Sequence, residues 1–101
     1  MTQIKAADIV RATAGHDSGR LYVVLALEGR YAILADGKRR RLDHPKRKKL
    51  RHLKPEATPE PAARAELLAG AGDSALRRVL AKAAAQSEMK TGGETVWRKT
   101  M

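Results

Sequence analysis

The sequence predicts a mainly β fold, in which a small barrel of short strands is followed by a Pro-rich linker and a helical C-terminal extension. Runs rich in Val, Ile and Tyr alternate with turn residues in the first half, and three prolines then fall close together. Alanine-rich segments with helical spacing follow. We therefore expect the barrel at residues 5–55, the linker at 56–61, the helical extension at 62–90 and a disordered tail at 91–101.

The first three strands are separated by turn residues. The first is predicted at residues 8–14, and it ends at the turn formers of residues 15–19. The second, at 20–27, is almost continuously apolar, which indicates burial on both faces. A compact loop at 28–30 then leads to a third strand at 31–35.

Asp36-Gly37 is typical of a two-residue type I′ hairpin turn, so residues 38–42 should pair back antiparallel. After Pro45, residues 49–53 supply either a last short strand or a single helical or 3₁₀ turn, because Leu50 and Leu53 are separated by one turn. Four or five short strands can avoid exposed edges by closing into a barrel, and an SH3-like barrel fits their number and length.

The C-terminal half has the spacing of helices. Asp73 is a candidate N-cap, and two glycines at 70 and 72 separate two helical segments. The apolar positions of the second segment, which fall on one face, are Leu76, Val79, Leu80 and Ala83. Such a face packs on its own domain or on a partner helix, and it is too small for a membrane role. The last residues, with Trp97, show no clear period.

Positive charge is concentrated in one stretch, residues 38–54, which we call the basic segment. The chain has 21 basic and 11 acidic residues, a net charge of +10. Ten of the basic residues and one acid, Asp43, lie in the basic segment, which gives it a local charge of +9. A solvated surface usually mixes both signs, whereas a localised patch of one sign indicates a polyanionic partner.

Composition argues against catalysis. The chain has no cysteine, so disulfides and cysteine-based zinc sites are excluded. It has no P-loop or Gly-rich nucleotide motif, and the spacing of His16, His44 and His52 is not that of a metal site. Ser18 has no sequence context that would activate it. We expect no enzyme activity, no cofactor, no metal and no small-molecule substrate.

The sequence shows no targeting or membrane signal. The N-terminus, MTQIKAADIV, has no apolar core of a signal peptide. No apolar run approaches the roughly 20 residues of a membrane helix. We expect a cytoplasmic protein that does not bind membranes and does not form homo-oligomers.

The turn between the first two strands has two readings. Gly15 and Gly19 flank it, and a tight reversal there can require positive φ. In the first reading, the turn is a simple hairpin loop. In the second reading, the turn has open backbone N–H groups beside Arg20, and these groups approach a phosphate. Both readings can hold together.

The run from Ile9 to Val24 resembles a KOW motif: an apolar strand, the turn AGHDSGR and then the strand LYVV. It looks most like the KOW domain of the ribosomal protein L14e/L6e/L27e group and its short bacterial RNA-binding relatives. In that family a Gly-x-Asp-x-Gly-(Lys/Arg) turn leads into the second strand, and ILADGKRRRLDHPKRKKLRHL matches the family's basic continuation. The resemblance covers residues 5–55. Ser18 replaces the usual Lys of the turn, and Arg20 supplies the nearby charge.

The resemblance implies an SH3-like barrel, RNA binding and an association with ribosomes or translation. The charge pattern itself predicts two clusters of basic side chains. One lies on a strand whose two faces are both charged, and the other follows Pro45. The residues expected to bind RNA are Arg20, Lys38, Arg39, Arg40, Arg41, Lys46, Arg47, Lys48, Lys49 and Arg51. The KOW turn consists of Gly15, His16, Asp17, Ser18 and Gly19.

The expected ligand is structured RNA, ribosomal RNA or the ribosome, held through its phosphates. Tyr22 and Tyr31 lie in predicted strands and are assigned to the core, which leaves few aromatic rings for stacking single-stranded bases. Two alternatives stay open. One is an SH3-like protein-interaction module of the transcription or translation machinery, and the other is binding to duplex DNA.

Overall fold

The computed structural model describes the backbone of residues 4–100 and the side chains of residues 4–86. Five strands form one antiparallel sheet in the order β4-β3-β2-β1-β5, and two helices follow. The elements are β1 (Ile9–Ala12), β2 (Leu21–Glu28), β3 (Tyr31–Ala35), β4 (Lys46–Lys49), a 3₁₀ turn (Leu50–His52), β5 (Leu53–Ala57), α1 (Pro61–Leu68) and α2 (Asp73–Thr100).

Strand β2 is the centre of the sheet, and it bends. Its first half pairs with both β1 and β3, and Tyr22, Val23 and Val24 are buried, so the prediction of burial on both faces is confirmed there. The register with β3 shifts between Val24 and Ala26, which leaves one extra residue as a bulge. A bulge bends its strand and increases the local twist. The end of β2 beyond the bulge is exposed.

Alternate side chains of the strands enter two apolar clusters, as the two-residue period of a strand requires. The first cluster, which we call the inner core, lies on one face of the sheet and consists of Ile4, Val10, Ala12, Tyr22, Val24, Ala32, Leu34 and Leu53, with Leu50 packed against it. The second, the outer core, joins Ile9, Val23 and Ala35 of the sheet to Leu76, Leu80 and Ala83 of α2. Both faces of the sheet are therefore buried, one of them by α2.

The predicted strand at 38–42 is wrong, because those residues form a closed loop. The Asp36 carboxylate accepts hydrogen bonds from the backbone N–H groups of Lys38 (2.9 Å) and Arg40 (2.8 Å). The N–H groups of Asp36 and Gly37 in turn donate to the Arg40 carbonyl. Gly37 has φ +78°, but Asp36 is not in the left-handed region, so a type I′ turn does not form. Strand β4 pairs with β3 instead.

The segment after β4 begins with the 3₁₀ turn that was one of the two possibilities for residues 49–53. Strand β5 then extends to Ala57, two residues into the predicted linker. Pro55 is tolerated because β5 lies at an edge of the sheet and its register with β1 is irregular next to Pro55, two places where strands accept proline. The connection to α1 is therefore residues 58–60, and α1 begins at Pro61, a favoured first helical position.

The first turn of α2 is bonded to the loop that follows β3. Asp73, the candidate N-cap, is the first residue of α2, and its Oδ1 accepts a hydrogen bond from Leu42 N at 2.8 Å. Arg77 donates to the Gly37 carbonyl at 2.6 Å. A Cβ on Gly37 would overlap the carbonyl oxygen of Asp73. These contacts make the helices a second layer on the sheet rather than a detached extension.

The remaining helical contacts strengthen this layer. The α1 residue Arg64 pairs with the buried carboxylate of Asp8 at 3.0 Å. The backbone of α2 is helical through residues 91–100, where the sequence shows no helical period and a disordered tail was predicted. Trp97 lies outside the described side chains. In the described part of the chain, no helix has both the length and the hydropathy of a membrane span.

We predict that the substitution G37A destabilises the fold by about 3 kcal/mol or more, since it combines a left-handed backbone with an overlap that displaces α2. Gly29 is the matched control, because it also has positive φ but has open space around it. G29A should cost only about 1 kcal/mol. Urea denaturation of the two variants measures the difference, and equal losses would contradict the role given to the α2 contact.

Candidate nucleic-acid interface

Asp17 is the centre of a polar cluster that ties the β1–β2 turn to β4. Its Oδ2 lies 2.6 Å from Lys46 Nζ and 3.9 Å from Lys48 Nζ. The hydrogen bond from Lys46 lowers the pKa of the Asp17 carboxyl, against the opposing effect of burial, and a hydrogen bond from Tyr22 lowers it further. Burial, together with the Asp17 charge, raises the pKa of the Tyr22 hydroxyl.

Lys46 and Lys48 are therefore structural cations as well as members of the predicted RNA-binding set. In the β3–β4 register they stand opposite Leu34 and Ala32, which belong to the inner core. Their stems can thus cover apolar surface while their ammonium groups reach the turn. Lys48 also donates to the Ala14 carbonyl at 3.1 Å. Both side chains are mostly buried, at 23% and 12% exposure.

The β1–β2 turn is held by its own backbone. Gly15 and Gly19 have φ of +80° and +91°, as the glycine positions predicted. The N–H of Ser18 donates to the Gly15 carbonyl, that of Gly19 to Ala12, and that of Arg20 to Asp17. Three backbone N–H groups of this turn are thus already hydrogen-bonded to backbone carbonyls and are not open to a phosphate. This favours the interpretation of the turn as a simple hairpin loop. Arg20 is half-buried beside Tyr22.

The loop after β3 presents a first group of free cations. Lys38, Arg39 and Arg40 are exposed, and within the described side chains no acid pairs with them. Arg41 is also exposed, but it lies 3.6 Å from the Asp73 carboxylate. The Asp36 hydrogen bonds and the α2 contacts hold the backbone of this loop, so the three cations project from a defined position.

A second group of free cations lies at the other end of the β3–β4 pair. It consists of Arg30, Lys49 and Arg51, which are exposed and form no ion pair within residues 4–86. The paired strands β3 and β4 lie between the two groups. Arg30 is absent from the predicted set because it lies outside both the basic segment and the glycine-flanked turn that ends at Arg20. The sequence signal that could have identified Arg30 is its position in the two-residue turn directly before Tyr31.

Tyr31 is not a core residue, contrary to its sequence assignment. Its side chain is half-buried, and the guanidinium carbon of Arg47 lies 4.0 Å from the centre of its ring, a cation–π contact. Arg47 also approaches the Glu28 carboxylate at 3.7 Å. Arg47 is therefore a partly engaged member of the predicted set, whereas Tyr22 is buried as expected.

A groove of about 600 Å³ opens beside Tyr31 at the second cation group. Leucines and the tyrosine line it together with the three free cations; the full lining is Gly29, Arg30, Tyr31, Lys49, Leu50, Arg51 and Leu53. The Leu50 N–H donates to the Arg30 carbonyl at 2.8 Å and so joins the two walls. The surface thus has an apolar hollow next to positive charge.

Within the described residues, no three His, Asp or Glu side chains are grouped as they would be at a metal site. His44 pairs with exposed Asp43 at 3.4 Å, and His16 and His52 lie in the turn and the 3₁₀ segment.

Comparison with known proteins does not assign a family. No protein-family model matches the chain, and no curated protein matches it significantly. The resemblance to KOW domains therefore rests on the turn AGHDSGR, its flanking strands and the basic continuation, and it stays a prediction.

We predict that D17N lowers the free energy of unfolding by about 2 kcal/mol at pH 7, because it removes a charged hydrogen bond and leaves Lys46 without its partner. The folded pKa of Asp17 lies below its ordinary value of 3.8, so the stabilisation is complete above that pH and is lost as the pH falls through the folded pKa. The gap between wild type and D17N should therefore narrow as the pH falls below 3.8.

Urea denaturation at a series of pH values measures this gap. D43N is the matched control, since Asp43 is 74% exposed and should contribute less than about 0.5 kcal/mol. A gap for D17N that is constant from neutral to acidic pH would contradict the ion pair.

Proposed function

We propose that this chain is an RNA-binding module that holds the phosphates of structured RNA through its free cations. One observation carries the proposal: two groups of exposed basic side chains lie at the two ends of one strand pair, without acidic partners in the described part of the chain. The described ion pairs of the fold use other cations. Such groups attract a polyanion and release its counterions on binding.

The spacing of the two groups favours a structured ligand. Because the groups lie at opposite ends of the β3–β4 pair, they can contact separate phosphates along a backbone or on two adjacent strands. Arginine predominates in both groups, and its planar guanidinium can form paired hydrogen bonds with phosphate oxygens. Because α2 and the sheet hold the backbone of the first group and the sheet holds that of the second, little backbone entropy is lost on binding.

We also propose that the sheet closes into an SH3-like barrel. It is supported by the bulge in β2 and by the short 3₁₀ connection between the edge strands β4 and β5. It is also supported by an inner core to which β1, β2, β3 and β5 all contribute. The KOW-like turn and the basic continuation further support an association with the ribosome or translation, in the cytoplasm.

We predict that the double variant R39Q/R40Q makes the negative slope of log affinity against log salt shallower by about 1.5, since each phosphate contact contributes about 0.7–0.9 to its magnitude. The control is R78Q/K82Q, which removes the same charge from helix α2, where Arg78 and Lys82 pair with Glu66 and Glu60. Its slope should stay that of wild type. Fluorescence anisotropy with a labelled RNA hairpin measures both, and equal losses would mean that only net charge matters.

Competition identifies the class of ligand. A DNA duplex of matched length should displace the RNA hairpin less effectively than unlabelled RNA does, if the proposal is correct. Equal displacement would assign the surface to duplex nucleic acid in general. Absence of salt-dependent binding to either polymer would contradict the proposed function.

A further inference from the structure

We infer that the groove beside Tyr31 receives one unstacked nucleobase, whose flanking phosphates are held by Arg30, Lys49 and Arg51. This inference rests on the proposed RNA-binding function and deepens it, because it names the feature of the RNA that the surface recognises. That feature is a bulged or flipped nucleotide in an otherwise structured RNA.

The size and chemistry of the groove fit such an occupant. Its volume of about 600 Å³ lies within the range of about 300–1,000 Å³ that is usual for small-ligand sites. Tyr31, Leu50 and Leu53 give it aromatic and aliphatic walls. A base that is stacked and paired within a helix cannot enter a concave site, whereas an extruded base can, and it gains contact with the aromatic ring.

The charges around the groove complement a nucleotide. Arg30, Lys49 and Arg51 are all exposed cations, and none has an acidic partner among the described side chains. The acid that precedes the turn, Glu28, is approached by Arg47 instead. An apolar hollow with positive charge only at its margin matches a ligand with a flat apolar base and negative phosphates on either side.

The ring of Tyr31 is held in place by a neighbouring side chain. The Arg47 guanidinium lies over its ring at 4.0 Å, which fixes the ring and leaves its side chain half-exposed. The walls of the groove are joined by the hydrogen bond from Leu50 N to the Arg30 carbonyl. Because the groove has a single aromatic ring, it accommodates one base, and the rest of the affinity comes from phosphates.

The test compares three RNA duplexes of equal length: a perfect duplex, one with a single bulged adenosine and one with an abasic bulge. The abasic bulge keeps the extra phosphate and the distortion but lacks the base. We expect wild type to bind the adenosine bulge about tenfold more tightly than the abasic bulge, which is the gain typical of one base stacked on an aromatic ring. Equal affinity for the two bulges, with salt-dependent binding intact, would overturn the inference and leave the proposed function standing. Failure to bind any of the three would overturn both.

Two variants locate the effect. Y31L keeps an apolar side chain of similar bulk but lacks the aromatic ring, and it should bind the two bulges equally. R39Q, in the distant cation group, should weaken binding to all three duplexes and keep the preference for the adenosine bulge. Retention of the preference in Y31L would overturn the inference. The comparison of the two bulges with wild-type protein does not depend on how either variant folds.

NMR shows directly what occupies the groove. The amide signals of Gly29 and Leu50 should shift with the adenosine bulge and much less with the abasic bulge. An acidic peptide that contains leucine is the competing ligand. Shifts of these signals with the peptide but not with the adenosine bulge would assign the groove to a protein partner and overturn the inference.

Discussion

Gly37 lies where any side chain would overlap the carbonyl oxygen of Asp73, and this close approach joins helix α2 to the sheet. The hydrogen bonds from Arg77 to Gly37 and from Leu42 to Asp73 surround the contact. Two consequences follow. The apolar face of α2 covers the outer core, so that the sheet is buried on both faces. The loop that carries the first group of free cations is held at both of its ends, by β3 and by α2, and its charges are presented from a stable position.

The basic segment divides into cations that maintain the fold and cations that are available to a ligand. A run with a local charge of +9 repels itself, and acids from other parts of the chain offset that repulsion at particular points. The described pairs are Asp17 with Lys46 and Lys48, Glu28 with Arg47, and Asp73 with Arg41. What remains of the basic segment are Lys38, Arg39 and Arg40 of the loop after β3, Lys49 and Arg51 beside the groove, and exposed Lys54 of β5. Net charge therefore overstates the binding surface, and the position of each acid decides where a polyanion can bind.

Sequence reasoning identified the elements whose signals are local. The third strand was predicted with its observed bounds, and the glycines of the β1–β2 turn have the expected positive φ. It failed where side-chain contacts decide the outcome, some with distant partners and one, at Asp36, with nearby backbone. Lys46 and Lys48 look like any other lysines of the basic segment, because Asp17 lies far away in sequence. The strand predicted after Asp36 does not form because that carboxylate bonds to the loop backbone. Tyr31 was assigned to the core because strand residues usually contribute to it, and its contact with Arg47 depends on the register between β3 and β4.

The basic segment is divided into cations that maintain the fold and cations that are available to a ligand. The acetylation rate of each lysine, measured by mass spectrometry with and without an RNA hairpin, tests this division most directly. In the free protein, exposed Lys38 and Lys49 should react quickly, whereas Lys46 and Lys48, which contact Asp17, should react slowly. RNA should protect Lys38 and Lys49 and leave the slow rates of the other two unchanged. Fast reaction of Lys46 and Lys48 in the free protein, with RNA protection confined to them, would contradict the account.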